Sequence, residues 1–150
     1  MISIENNYLI TSCFFQRGII IFNERSRLDM NILLGDELYM ISQLSWKIGG
    51  QQGEGLESTD RIFSTALNRL GYYLYGYRHF SSRIKGGHTN NKIRISTYPI
   101  RAISDDLDIL VAFDQETIDL NARELREGGI IIADAKFNPT VPAGVNARLF

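Results

Sequence analysis

The chain has 150 residues, 44% hydrophobic and 22% charged, with 16 basic against 17 acidic side chains, which describes one globular domain rather than a disordered or fibrous chain. Its single cysteine, Cys13, excludes an internal disulfide framework, and with it a thiolate zinc site or an iron–sulfur cluster held by this chain alone. A formal charge of −1 gives no bulk attraction to nucleic acid or membrane.

The first 39 residues read differently from the rest. The apolar stretch 8–22 contains Thr11, Ser12, Gln16 and Arg17, so it falls short of the ~20 clean apolar residues of a membrane span. No basic residue precedes it, as one would before a secretory core. Residues 19–22 can form a short strand, whereas 23–29 are polar and unpatterned. Met30 and Met40 are both possible starts. We expect the domain to begin at Met40, with 1–39 an extension or a mis-called start; a genuine extra hairpin is the alternative.

From Leu44 the pattern becomes orderly. Leu44, Trp46 and Ile48 alternate with Ser45 and Lys47 and predict a strand over 44–48, which runs into Gly49-Gly50-Gln51-Gln52-Gly53-Glu54-Gly55. Phe63, Ala66, Leu67 and Leu70 follow helical spacing and predict an amphipathic helix over about 57–70, ended by Gly71. Residues 72–75 read as the next strand, then a long loop through Asn91, then a strand over 92–97. The run 108–113 is continuously apolar after its first residue, as in a strand buried on both faces of a parallel sheet. Asp114 can cap a helix with Ile118, Ala122 and Leu125 on its face, ended by Gly128-Gly129, and 130–133 is another buried strand. Repeated strand–helix–strand units predict an α/β fold: an open, mostly parallel, Rossmann-like sheet with flanking helices.

Charge is unevenly placed along these elements. From Arg61 to Ser104 there is no acid, but eight bases: Arg61, Arg69, Arg78, Arg83, Lys85, Lys92, Arg94 and Arg101. From Asp105 to Asp134 nine acids face only Arg123 and Arg126. Such asymmetry points to an anionic ligand or a charged partner surface, unless folding interleaves the two segments.

Two loops carry candidate chemistry. A glycine-rich turn between strand and helix lets backbone N–H groups approach a phosphate or carboxylate at the positive helix end. No Gly-Lys-Ser/Thr follows, so it is not the phosphate loop of nucleotide hydrolases. Its glycine order differs from G-x-G-x-x-G, and Tyr75, Gly76, Tyr77 and Arg78 stand where a ribose-binding acid belongs, which argues against a nicotinamide cofactor. The glycines can equally serve close strand–helix packing. The second loop, residues 78–91, gathers Arg78, His79, Arg83, Lys85, Gly86, Gly87, His88, Asn90 and Asn91; its cations suit an anion, and a solvated or subunit-facing loop is the alternative. His79 and His88 lack the spacing of a helical metal pair. Asp105, Asp106 and Asp108 read as a solvated turn. Tyr72, Tyr73, Tyr75, Tyr77 and Phe80 beside Arg78 could stack on bases, but such alternation more often gives a core face and an interface face. No Ser/His/Asp arrangement, carboxylate pair or nucleophile elbow is present.

The run Trp46-Lys47-Ile48-Gly49-Gly50-Gln51-Gln52-Gly53-Glu54-Gly55, then 77–96 with Lys85-Gly86-Gly87-His88-Thr89-Asn90, then 103–135, resembles the gamma-type domain of 2-oxoacid:ferredoxin (acceptor) oxidoreductases. It resembles the variant fused at the N-terminus of the alpha subunit in 2-oxoglutarate or 2-oxoacid enzymes. The resemblance covers about Met40 to Phe150. Asp60 departs from it, standing where a glycine or small residue is expected after Glu57-Ser58-Thr59; at a helix start this is tolerated variation.

The resemblance implies a cytoplasmic enzyme that decarboxylates a 2-oxoacid, such as 2-oxoglutarate or pyruvate, on thiamine diphosphate. It passes electrons through iron–sulfur clusters to ferredoxin and forms an acyl-CoA. Thiamine diphosphate, magnesium and the clusters are held mainly by other domains or subunits, so this chain is inactive alone. Its implied partners are the remaining alpha-subunit domains and a thiamine-diphosphate-binding beta subunit. The chain looks like a fragment that continues beyond Phe150. Gly49, Gly50, Gly53 and Gly55 are expected as the anion-facing turn, and Arg83, Lys85, Gly86, Gly87 and His88 as a loop meeting coenzyme A or the cofactor-bearing partner. A non-catalytic docking module and an independent nucleotide-binding domain are the competing readings.

Overall fold

The computed structural model describes residues 2–5, 8–11, 18–22, 30–34, 37–80 and 87–150, with side chains from Ser42 onward. Five strands, β1 (Ile2–Glu5), β2 (Tyr8–Thr11), β3 (Gly18–Phe22), β4 (Met30–Leu34) and β5 (Glu37–Ile41), pair antiparallel in chain order. The strand expected at 19–22 is β3, and Met40 lies inside β5. Residues 23–29, read as unpatterned, lie outside the described residues.

A second sheet holds β6 (Gln43–Gln51), β7 (Tyr73–Phe80), β8 (His88–Ser96), β9 (Leu107–Ala112), β10 (Leu125–Ala133) and β11 (Ala147–Leu149) in the order β11-β10-β9-β6-β8-β7. Helix α1 (Leu56–Arg69) links β6 to β7, and α2 (Gln115–Asn121) links β9 to β10. The pairs β6–β9, β9–β10 and β10–β11 are parallel, and β8 runs against both its neighbours. The open, mostly parallel α/β sheet read from the sequence is the fold of this chain.

Alternation decides which helix covers which face. Leu44, Trp46 and Ile48 of β6 point to one side with Ile93, Ile95 and Ile109, and α1 closes over them with Leu56, Leu67 and the half-buried Phe63 and Leu70. The Trp46 and Phe63 rings meet with centroids 4.7 Å apart, tilted by 42°. On the other side Leu110, Ala112, Ile131 and Ala133 pack with Ile118 and Ala122 of α2. Each fully buried leucine or isoleucine among them contributes ~1.5–3 kcal/mol of transfer free energy. Gly71 takes φ 91° after α1, and the N–H of Tyr72 donates to the carbonyl of Leu67, turning the chain directly into β7. Ala66, expected on the buried stripe, is exposed; Asp60 is buried instead.

Three boundaries differ from the sequence reading. Gly49 and Gly50 belong to β6, because their backbone pairs with Asn90 and Thr89 of β8. The expected long loop over 76–91 is mostly an antiparallel hairpin, with Arg78, His79 and Phe80 in β7 and His88 to Asn91 in β8. Polar residues in that ladder hid its strand character. Finally, α2 ends at Asn121, a 3-10 turn spans Ala122–Glu124, and Leu125 begins β10 rather than extending the helix. Gly128, at φ 75°, and Gly129 lie within the register shift between Leu125 and Ile130, so they form a bulge instead of a helix terminator.

Candidate functional site

The sheet parts at one place. From β6 the chain leaves through α1 on one face; from the adjacent, parallel β9 it leaves through α2 on the other. The crevice at the carboxyl ends of β6 and β9 is where open α/β sheets bind ligands. Its walls are the turn following Gln51 and the start of α2 after Phe113.

The four glycines divide into two roles. A Cβ at Gly49 would stand 2.7 Å from Thr117 Cγ2 and 3.4 Å from His88 Cε1; at Gly50 it would stand 2.9 Å from Phe113 Cβ. These two are absent of side chain because α2 and the segment before it press on the strand. Gly53 and Gly55 have φ 103° and 84° with open space around them, so they shape the turn. Gly55 is the N-cap of α1, and no side chain caps that helix. Of the four glycines expected in an anion-facing turn, Gly53 and Gly55 therefore lie in the turn itself, and Gly49 and Gly50 lie in the packed strand that leads into it. Glu54 closes the turn on itself: its Oε2 accepts from the N–H of Gln51 at 2.8 Å.

Beneath α2 lies a relay. Asp114 Oδ1 accepts from the Thr117 N–H at 2.8 Å and from its hydroxyl at 2.7 Å, capping the helix as the sequence predicted. Thr117 Oγ1 also lies 2.9 Å from His88 Nε2. A hydroxyl has one proton, and here it goes to the carboxylate, so His88 must donate from Nε2. His88 is 5% exposed and Gly87 is buried, and the imidazole packs against Thr117 of α2. Arg83, Lys85 and Gly86 lie outside the described residues. His79 is exposed in β7, and Arg78 is bound to Glu57 at 2.8 Å and lies 3.9 Å from Asp60. Burial, partly offset by Arg78, raises the Asp60 carboxyl above its ordinary value.

The most charged part of this polar layer was missed. Lys47 and Lys92, 2% and 3% exposed, sit cross-strand and both bind Glu124; Lys47 also donates to Asn121 Oδ1 at 3.0 Å, and Lys92 to the Asp105 carbonyl at 2.9 Å. Burial lowers the Lys47 ammonium below its usual range, against the pull of Glu124. Burial works against ionisation of Glu124 too, but the hydrogen bonds from Lys47 and Lys92 and their charges outweigh it and hold the carboxyl below its ordinary value. The available signal was a lysine flanked by apolar residues on either side, Trp46-Lys47-Ile48. Of the residues read as a solvated turn, Asp105 and Asp106 are exposed, Asp106 pairing with Arg126 at 3.4 Å, whereas the half-buried Asp108 lies 3.3 Å from Arg126 and accepts from the Ser45 N–H through Oδ2 at 2.7 Å.

Comparison with known proteins agrees with this fold. The family model described as pyruvate ferredoxin/flavodoxin oxidoreductase matches residues 45–149. A 2-oxoacid:ferredoxin oxidoreductase subunit alpha from Sulfolobus sp is 46% identical over 76 residues, 51% of this chain and 12% of that protein. Among solved structures, 2-oxoglutarate:ferredoxin oxidoreductase from Magnetococcus marinus, with 2-oxoglutarate, coenzyme A and succinyl-CoA bound, superposes with TM-score 0.63 at 28% identity, over 71% of this chain and 19% of that one. The gamma subunit of a keto/oxoacid ferredoxin oxidoreductase from Geobacter sulfurreducens shares the fold, with TM-score 0.59 at 24% identity, over 73% of this chain and 59% of that one. This chain spans about an eighth of the length of the curated relative.

Proposed function

Because the chain belongs to the pyruvate ferredoxin/flavodoxin oxidoreductase family, we propose that it is the gamma-type part of a 2-oxoacid:ferredoxin oxidoreductase alpha subunit, working inside a larger assembly. The observation that carries this is the family match over 45–149, which takes in all of the crevice-bearing sheet but the first two residues of β6. The assembly would convert a 2-oxoacid to an acyl-CoA and pass the electrons to ferredoxin, with the rest of the alpha subunit and a thiamine-diphosphate-binding beta subunit as partners. The division of the chain near Met40 belongs to the same proposal, since β1 to β5 form a sheet of their own ahead of the match. A cytoplasmic location belongs to the same proposal and rests on the family resemblance; among the described residues no helix is long and apolar enough to cross a membrane.

The described residues do not fit the metal-bearing groups: they contain no set of three His, Cys, Asp or Glu side chains able to hold a metal ion. No step through thiamine diphosphate, magnesium or a cluster is assigned to this chain. An anionic part of coenzyme A fits better, at the uncapped N-terminus of α1 and the open turn at Gly53 and Gly55. Coenzyme A, when bound, would supply the thiol that takes up the acyl group. This chain's share is to present N–H donors, and Glu54 must give up its bond to Gln51 for an anion to approach that N–H. His88 positions the start of α2 through Thr117. The roles of Arg83, Lys85 and Gly86 rest on the sequence.

The test is the complete subunit assembled with its partners. Truncating Arg83 and Lys85 to alanine should abolish acyl-CoA formation with assembly intact; loss of assembly would instead favour the docking reading. The nucleotide-binding reading requires the isolated chain to release heat with nucleotides in a calorimeter, and we expect none.

A further inference from the structure

A cavity of ≈ 230 Å³ lies between α1 and β7, lined by none of the residues that wall the crevice. Alternation turns Leu74, Gly76 and Arg78 of β7 toward α1, and the missing side chain at Gly76 opens the space between the other two. A Cβ there would stand 3.2 Å from the Lys92 carbonyl oxygen and 3.5 Å from Ile93 Cγ1. Asp60 and Ser64, one turn apart on α1, form the facing wall. The volume is that of roughly seven water molecules, and it falls below the usual range for a drug-sized ligand.

The polar groups around this cavity are short of donors. Asp60 is 9% exposed, and its buried Oδ1 accepts no hydrogen bond among the described residues. Its Oδ2 lies 3.9 Å from Arg78 Nη2, too far for one. Arg78 instead donates from Nη1 to Glu57 at 2.8 Å. Asn91, directly across from Arg78, is 2% exposed, and its Oδ1 also lacks a partner. Lys92 sends its ammonium to Glu124 on the other side of the sheet. Glu57 and Asp60 therefore share one guanidinium, which leaves negative charge beside the apolar strip of Leu74 and Ile93. A buried carboxylate without donors is costly, and the raised Asp60 carboxyl reflects the same deficit.

We propose that this cavity binds a small primary alkylammonium, whose N–H groups donate to the Asp60 carboxylate while its alkyl part lies over Gly76 against Leu74 and Ile93. An anion would meet the charge of Asp60 with Arg78 already engaged. A neutral alcohol has one proton to donate and leaves that charge uncompensated. This inference stands apart from the oxidoreductase reading.

The test titrates the full chain with n-butylammonium chloride at constant ionic strength, followed by amide NMR shifts. n-Butanol, sodium butyrate and a blocked Ala-Lys-Ala peptide serve as comparisons. We expect saturable shifts centred on Ser64, Gly76 and Arg78, with a Kd of about 1 mM for so small a ligand. Asp60→Asn keeps the shape and removes the charge, and should weaken binding roughly tenfold. Ser64→Leu, on a half-buried helix position, fills the cavity and should abolish binding, which keeps the test open if the Asp60 variant unfolds. Tighter binding of the peptide than of the free amine would assign the ammonium to a lysine of a partner protein, and weaker binding to a free amine; both support an ammonium site. Shifts that do not saturate, butanol or butyrate binding as tightly, or undiminished binding by either variant would each overturn the proposal and leave a cavity that holds water only.

Discussion

Lys47 and Lys92 stand directly across from one another on β6 and β8, both almost fully buried, and share the single carboxylate of Glu124. Two ammonium groups against one carboxylate leave the layer beneath α2 with an excess positive charge. Neutral acceptors, Asn121 Oδ1 and the Asp105 carbonyl, complete its bonding. Glu124 lies in the 3-10 turn between α2 and β10, so this contact ties that turn to β6 and β8.

Removing the shared carboxylate should therefore damage the fold more than removing one lysine. Glu124→Gln is expected to cost about 3 kcal/mol, toward the low end for breaking a buried pair because Glu124 is itself partly exposed. Lys47→Met, similar in volume, should change stability by less than about 1.5 kcal/mol. Urea denaturation of the variants compares the two.

The pH dependence follows from the same groups. Glu124 titrates below its ordinary 4.5 when folded, so the unfolded chain binds more protons between the two values. That contribution is present above about pH 4.5 and is lost as pH falls through the folded value. Asp60 has the opposite sign: its folded value lies above 3.8, so stability declines as pH rises from 3.8 through that value. Glu124→Gln should flatten the acid limb of a stability–pH curve, and Asp60→Asn should remove the decline. At pH 7 the Asp60 variant should be at least as stable as the parent.

Gly49 and Gly53 should respond to alanine for different reasons. Gly49→Ala drives a methyl into Thr117 Cγ2, an overpacking expected to cost ~1–3 kcal/mol. Thr117→Ser deletes that carbon and keeps the hydroxyl, so the double variant should recover part of the loss. Gly53→Ala meets no neighbour, but its φ of 103° disfavours any side chain and should cost about 1 kcal/mol with no rescue from position 117. A double-mutant cycle by thermal denaturation distinguishes them.

His88 should carry its proton on Nε2, because Thr117 spends its own on Asp114. Nitrogen chemical shifts of the ring report this directly. Asp114→Ala, which frees the Thr117 hydroxyl and removes the cap of α2, should cost about 1 kcal/mol and shift the tautomer balance.

The sequence by itself determined the class of the fold. Alternation in Leu44, Trp46 and Ile48, helical spacing through Phe63, Leu67 and Leu70, the punctuation at Gly71 and the cap at Asp114 are local signals, and each corresponds to an element of the sheet or its helices. Tertiary structure decided what local pattern cannot hold. Whether Gly49 and Gly50 end a strand or open a loop depended on β8 pairing alongside them and on Thr117 and Phe113 pressing from behind. Whether Gly128-Gly129 stops a helix or bulges a strand depended on the register of β10 against β9. Lys47, Lys92 and Glu124 come from three separate elements, and no spacing in the chain announces a charge network that forms only when β6, β8 and the turn after α2 close on each other. Local propensity acts within a few residues; burial of a charge is settled by the partners that folding brings to it.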